Sequence, residues 1–325
     1  MNDLVAEELI LLFLQSHSPV ESAYDEINIQ EMIFLINRAK YLMMSQKEDS
    51  EWLIVRMKEF YIRLKEKIKA AEELYIAYDQ HTNYPYVDIE GRVWIFSKEQ
   101  YAAEAEDYFK QQFIMLFMKK ISGEEIRKTL GLLHLFGLPI ILVDNGQYYI
   151  EVSRDELLPP MDWSDTPEIQ IPVTNPNLQH AMILFFQTMR SRQNTPDKEE
   201  LLQSLENNLI DEIIKARYLI PMQLVEQHPS TPNDEGAITL KQGDRIQFAI
   251  LETNEKFNWL PVFTDWFEFE RMYNKERWSS FIGTYEDLLE LSTNITGVLI
   301  NPQGIGLKLD ATIKANIEKH RHEKK

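Results

Sequence analysis

Leu260-Pro261-Val262-Phe263-Thr264-Asp265 and Val298-Leu299-Ile300-Asn301-Pro302-Gln303-Gly304 decide the fold. Each is a short apolar run that stops on a polar residue. Runs of that length, bounded by cap or turn signals, read as buried strands. Thr264 and Asp265 stand where a helix N-cap belongs, and Asp265 has Glu268 three residues on, so either supplies the oxygen that satisfies a free backbone donor. A helix through Phe269, Met272 and Tyr273 follows. Thr284 with Asp287 opens a second helix carrying Leu288, Leu289 and Leu291. Asn301 to Gly304 is a turn, and Leu307-Lys308-Leu309 is the strand that returns from it.

The same order occurs earlier. Val93-Trp94-Ile95-Phe96 reads as a strand, and Ser97 with Gln100 as a capping box opening a helix to about Gln112. Phe113 to Met118 is apolar enough for a buried strand. Ser122 with Glu125 caps a helix that runs to Phe136 and stops at Gly137. Ile140 to Val143 is a strand, Asp144-Asn145-Gly146 a tight turn, and Tyr148 to Val152 the partner strand. Strand, hydroxyl cap, helix, hydroxyl cap, helix, strand, Asx turn and strand thus come twice. Either the chain holds two diverged copies of one module, or one domain's elements share common cap chemistry. Both readings give an α+β class, with mixed sheets and helices packed on them.

Residues 1–80 read as helical: they hold no glycine and one proline, Pro19. Leu53, Met57, Phe60, Tyr61, Leu64, Ile68, Leu74, Tyr75 and Tyr78 form one apolar stripe, and another helix covers about 26–45. Tyr86 to Ile89 reads as a further strand. Five prolines between 158 and 177 mark a linker. Helices at about 177–190 and from the cap Thr195-Pro196-Asp197 to Arg217 come next. Tyr218 to Ile220 is extended, 227–236 is a loop, and strands fall at 245–252 and 258–263. The expected organisation is a helical region at 1–80, an α/β module at 81–160, a linker at 161–177 and an α/β domain at 178–325.

Composition narrows function. The 325 residues are 44% hydrophobic and 26% charged, an ordinary globular balance. Thirty-four basic against 52 acidic residues leave a net charge of −18, which phosphate backbones and anionic lipid heads repel. Nucleic acid and membrane insertion are therefore not expected. Without cysteine there is no disulfide, thiol nucleophile or cysteine metal site. Leu9 to Leu14 is too short to span a bilayer and follows acidic Asp3, Glu7 and Glu8, so a cytoplasmic location is expected.

No catalytic pattern emerges. The histidines have no metal-ligand spacing, Gly304-x-Gly306 lacks the rest of a phosphate loop, and no Gly-x-Ser-x-Gly elbow occurs. No metal and no cofactor are expected. Thr264, Asp265 and Trp266 form the candidate binding triplet because they end a strand, where α/β modules place ligands. Asn301 joins them if the two strands are neighbours. The alternative is that Thr264 or Asp265 caps the helix while Trp266 packs on the sheet.

Ala216 to Pro221, Phe248 to Leu251, Leu260 to Asp265, Asp287 to Leu289 and Gly297 to Pro302 follow in an order that resembles the SseB-like family (enhanced serine sensitivity protein B, N-terminal domain) over about 195–315. The resemblance implies a small α/β module and brings no assigned reaction. Three functions follow as expectations. The first is a non-enzymatic protein-interaction module with an acidic surface, binding a protein partner or itself. The second is a small-molecule binder or enzyme, amino-acid-related ligands included, using Asp265, Asn301 and Thr264. The third is an immunity-type or secretion-associated partner.

Overall fold

Leu74 to Ala77 are four consecutive buried residues, a pattern that suits a strand covered on both faces. In the computed structural model they lie in the central region of a five-stranded sheet. The structure describes residues 3–16, 21–45, 50–146, 148–193, 196–226 and 245–324. The chain divides into two compact units.

The first unit takes in the chain up to Gln80, with 84–134 and 138–160. Its elements run α1 (Asp3–Ile10), α2 (Ala23–Glu26), α3 (Ile29–Ser45), α4 (Ser50–Lys69), β1 (Glu73–Asp79), β2 (Arg92–Phe96), α5 (Glu99–Gln111), β3 (Leu116–Ser122), α6 (Glu124–Leu135), β4 (Ile140–Val143), β5 (Ile150–Ser153) and α7 (Arg154–Leu157). The sheet order is β3-β1-β2-β4-β5. β2 and β4 are parallel, with Val93 opposite Ile141, and the other pairs are antiparallel. Ala102, Ala105 and Phe109 of α5 pack on Trp94, Phe96 and Leu142.

The second unit holds 81–83, 135–137 and 161–325. Its main elements are α8 (Pro176–Arg190), α9 (Lys198–Lys215), β6 (Tyr218–Glu226), β7 (Arg245–Phe248), β8 (Leu251–Glu252), β9 (Asn258–Val262), α10 (Trp266–Glu270), β10 (Ser279–Gly283), α11 (Tyr285–Leu291), β11 (Gly297–Ile300), β12 (Leu307–Leu309) and α12 (Ala311–Glu323). Among the described residues two sheets form, β10-β6-β7 and β12-β11-β9-β8. They are stitched where Leu219 and Phe263 exchange backbone hydrogen bonds of 2.8 and 2.9 Å. Followed across that stitch, β10-β6-β9-β11-β12 repeats the order and strand directions of β3-β1-β2-β4-β5. A helix pair precedes each sheet, and the intervening helices fall at matching places. β7 and β8 are the extra strands of the second unit.

Several sequence expectations are corrected. The helix of the 1–80 region stops at Lys69, and Glu73–Asp79 is strand, paired with β2 and β3 on its two sides. Tyr86 to Ile89 forms no strand; Val87 makes one isolated bridge with Val93. The strand expected from Phe113 begins at Leu116, since Phe113 turns with φ +60°. Ser122 ends β3 opposite Glu73. Ser97 caps nothing: α5 begins after Lys98, and the Gln100 amide bonds Glu104 instead. β10 was not anticipated. Thr195 and the 227–236 loop lie outside the described residues. The cap at Thr284 holds, with Asp287 completing the capping box.

Candidate functional site

Parallel β9 and β11 finish in register, Val262 beside Ile300. The chain must turn away at both ends, and Thr264 and Asn301 make the two turns. Asn301 takes φ +49°, a left-handed conformation that asparagine tolerates better than most residues. Its backbone N–H donates to Val262 O at 2.9 Å. Its side chain meets Thr264 twice: Oδ1 accepts from the Thr264 N–H at 3.0 Å, and Nδ2 donates to Thr264 Oγ1 at 2.9 Å. Thr264 Oγ1 donates onward to Asp265 Oδ2 at 2.8 Å. Asp265 Oδ1 accepts from the Glu268 N–H at 2.9 Å and so caps α10.

Two residues of the α8 region complete the cluster. Gln179 Nε2 donates to Thr264 Oγ1 at 2.9 Å and to Asp265 Oδ2 at 3.1 Å. Asn175 Nδ2 donates to Thr264 O at 2.6 Å and to Arg217 O at 2.7 Å, tying the start of α8 to the ends of α9 and β9. Sequence reading missed both. Asn175 before Pro176 carried a helix-start signal, whereas nothing local marks Gln179. Thr264, Asp265, Gln179 and Asn301 are each no more than 1% exposed. Burial pushes the Asp265 carboxyl above its ordinary range, while its hydrogen bonds hold it down.

The structure therefore brings Thr264, Asp265 and Asn301 into one network. Trp266 follows in sequence but belongs to the apolar side: it is half-buried, its ring 5.0 Å from that of Phe269 in an edge-on contact. Phe267 next to it is exposed, with the Arg271 guanidinium 5.8 Å over its ring.

The first unit builds the same turn from different residues. Asp144 stands at φ +52°, its N–H donates to Ile95 O at 2.9 Å, and its Oδ1 accepts from the Ser97 N–H at 2.6 Å. Ser97 Oγ donates to Oδ2 at 2.5 Å. Ser97 and Asp144 thus occupy the places of Thr264 and Asn301, with a carboxylate where the second unit has an amide.

Among the described residues no group of three or more His, Asp or Glu is arranged to hold a metal ion, and no helix is long and apolar enough to cross a membrane. His320 bonds Asp211 across a helix pair at 3.0 Å.

Residues 199–312 match the sequence model of the SseB protein N-terminal domain. The SseB match runs from α9 into α12. It holds Thr264, Asp265, Trp266 and Asn301, and leaves out Asn175 and Gln179. No curated protein and no solved structure matches the chain.

Proposed function

We propose that the protein acts by stoichiometric association, its SseB-matching unit serving as a protein-interaction module in the cytosol rather than as a catalyst. The observation that carries this reading is the buried hydrogen-bond network at the strand ends, in which Gln179 Oε1 is left without a partner among the described residues. Thr264, Asp265 and Asn301 direct their hydrogen bonds at one another, at Gln179 and at the α10 backbone. Their work is to fix the turn. The adjoining aromatic pair, half-buried Trp266 and exposed Phe267, is the contact surface, since tryptophan is a common anchor of protein interfaces. A net charge of −18 favours a partner of basic character and a salt-sensitive encounter. An immunity-type or secretion-associated partner is one form of this reading. We also read the two units as diverged copies, because topology and turn geometry coincide.

The test is affinity capture of the tagged full chain from its native lysate, quantified by mass spectrometry, beside a Trp266→Leu, Phe267→Ser variant. Leucine keeps an apolar contact on Phe269 and removes the indole. The expected result is one stoichiometric protein, lost from the variant. Equal recovery by both chains would refute the proposed surface.

A further inference from the structure

In the first unit the ends of β2 and β4 open into a cavity of about 640 Å3. Among the described residues the second unit has no counterpart to its long wall. There α10 has five residues and Gln179 bonds the residues at the strand ends, whereas α5 has thirteen. Tyr101, Glu104 and Tyr108 of α5 recur at steps of three and four, which places them on one helix face. Trp94 and Phe96, two apart on β2, share the sheet face beneath. Tyr148, beyond the Asp144 turn, contributes a further ring.

The charge of this lining has one sign. Among the described residues Glu104 and Asp144 are its carboxylates, and neither Lys nor Arg lines it. Asp144 is 3% exposed, and among the described residues the hydrogen bonds its carboxylate accepts come from Ser97. A carboxylate has room for about four donors, so it retains acceptor capacity toward the cavity. The Lys98 ammonium lies 5.6 Å over the Tyr101 ring, so an aromatic of this lining already carries a cation.

We propose that this cavity binds an organic cation: a primary ammonium or guanidinium group on an apolar stem, the charge held by Asp144 and Glu104 and the stem laid against the aromatic rings. Burial pushes the Asp144 carboxyl upward even though the Ser97 hydrogen bonds and the nearby Lys98 ammonium pull it down, so a cation inside the cavity adds to a compensation that Lys98 begins. The site lies outside the SseB match and is independent of the Trp266 surface. The same chemistry is offered by a free amine or by a Lys or Arg side chain of another protein.

The test is calorimetric titration of the full chain with agmatine, cadaverine and the peptide acetyl-Ala-Arg-Ala-amide, beside the uncharged citrulline form of that peptide. Asp144→Asn removes the charge and keeps a residue suited to the turn, as Asn301 shows at φ +49°. Cationic probes are expected to bind, and the citrulline peptide and the D144N chain each to weaken binding by at least about tenfold. Glu104→Gln, at an exposed helix position, serves as a second variant and is expected to weaken binding in the same direction. Binding of the peptide alone assigns the site to a partner's side chain; binding of the free amines assigns it to a small molecule. Failure of all three cations to bind would overturn the proposal. So would equal binding of the citrulline peptide, or unchanged affinity in both variants.

Discussion

Thr264→Val exposes what the strand-end network contributes. Valine copies threonine's shape and removes the hydroxyl. In the native chain that hydroxyl accepts from Gln179 and Asn301, each at 2.9 Å, and donates to the Asp265 carboxylate at 2.8 Å. All four groups are shut off from water. Neutral hydrogen bonds contribute about 1 kcal/mol each and one to a carboxylate about 2 kcal/mol, so their loss costs about 4 kcal/mol. The added buried methyl returns about 1 kcal/mol. The net loss is about 3 kcal/mol, a fall in Tm of roughly 6–12 °C for a unit of this size. Thr264→Ser keeps every bond, gives up one methyl and costs about 1 kcal/mol. Thermal unfolding followed by circular dichroism, with urea titration for the free energies, separates the two. Valine must be the more damaging. If serine destabilises as much as valine, packing rather than hydrogen bonding holds the strand ends, and the reasoning fails.

Other outcomes follow from single contacts. Because burial raises the folded pKa of Asp265, its ionisation costs stability. That cost is absent below the unfolded carboxylate value and grows as pH rises through the folded one. Asp265→Asn, which still offers a capping oxygen, should flatten the fall in urea midpoint over that rise; an unchanged profile would remove Asp265 as its source. Gly131, within α6, has open space where a Cβ would go, so Gly131→Ala should add about 0.5–1 kcal/mol, read as a higher urea midpoint. At Gly297 a Cβ would stand 2.3 Å from Leu309 O, so Gly297→Ala should break the pairing of β11 with β12 and lower Tm sharply. A neutral Gly297→Ala would show that the backbone there yields.

Much of this fold can be read from cap and turn chemistry, because those signals are local. Asp265 and Thr284 each cap a helix by accepting from the N–H three residues on, and the Asn301 carbonyl closes its turn by accepting from the Gly304 N–H. β1 could not be read this way. Its apolar residues continue the helical stripe of α4, and only pairing with β2 and β3, which are far along the chain, makes it a strand. Ser97 misled for a related reason. A serine after a strand caps a helix unless a tertiary partner takes its hydroxyl, and Asp144, 47 residues on, does so. The candidate site was legible as Thr264, Asp265 and Asn301, whose nearness depended on β9 and β11 being neighbours. Gln179, 85 residues before Thr264, carries no sequence signal for closing that network. The cavity of the first unit was equally hidden, since it comes from the length of α5 and from which strand face Trp94 and Phe96 share.

The most direct test of the association reading uses the captured partner in purified form, titrated calorimetrically against the native chain and against the Trp266→Leu, Phe267→Ser variant at low and high salt. The account predicts a one-to-one complex that weakens as salt rises and weakens further, by at least about tenfold, without the two aromatic rings. A salt-independent complex formed equally well by both chains would contradict it.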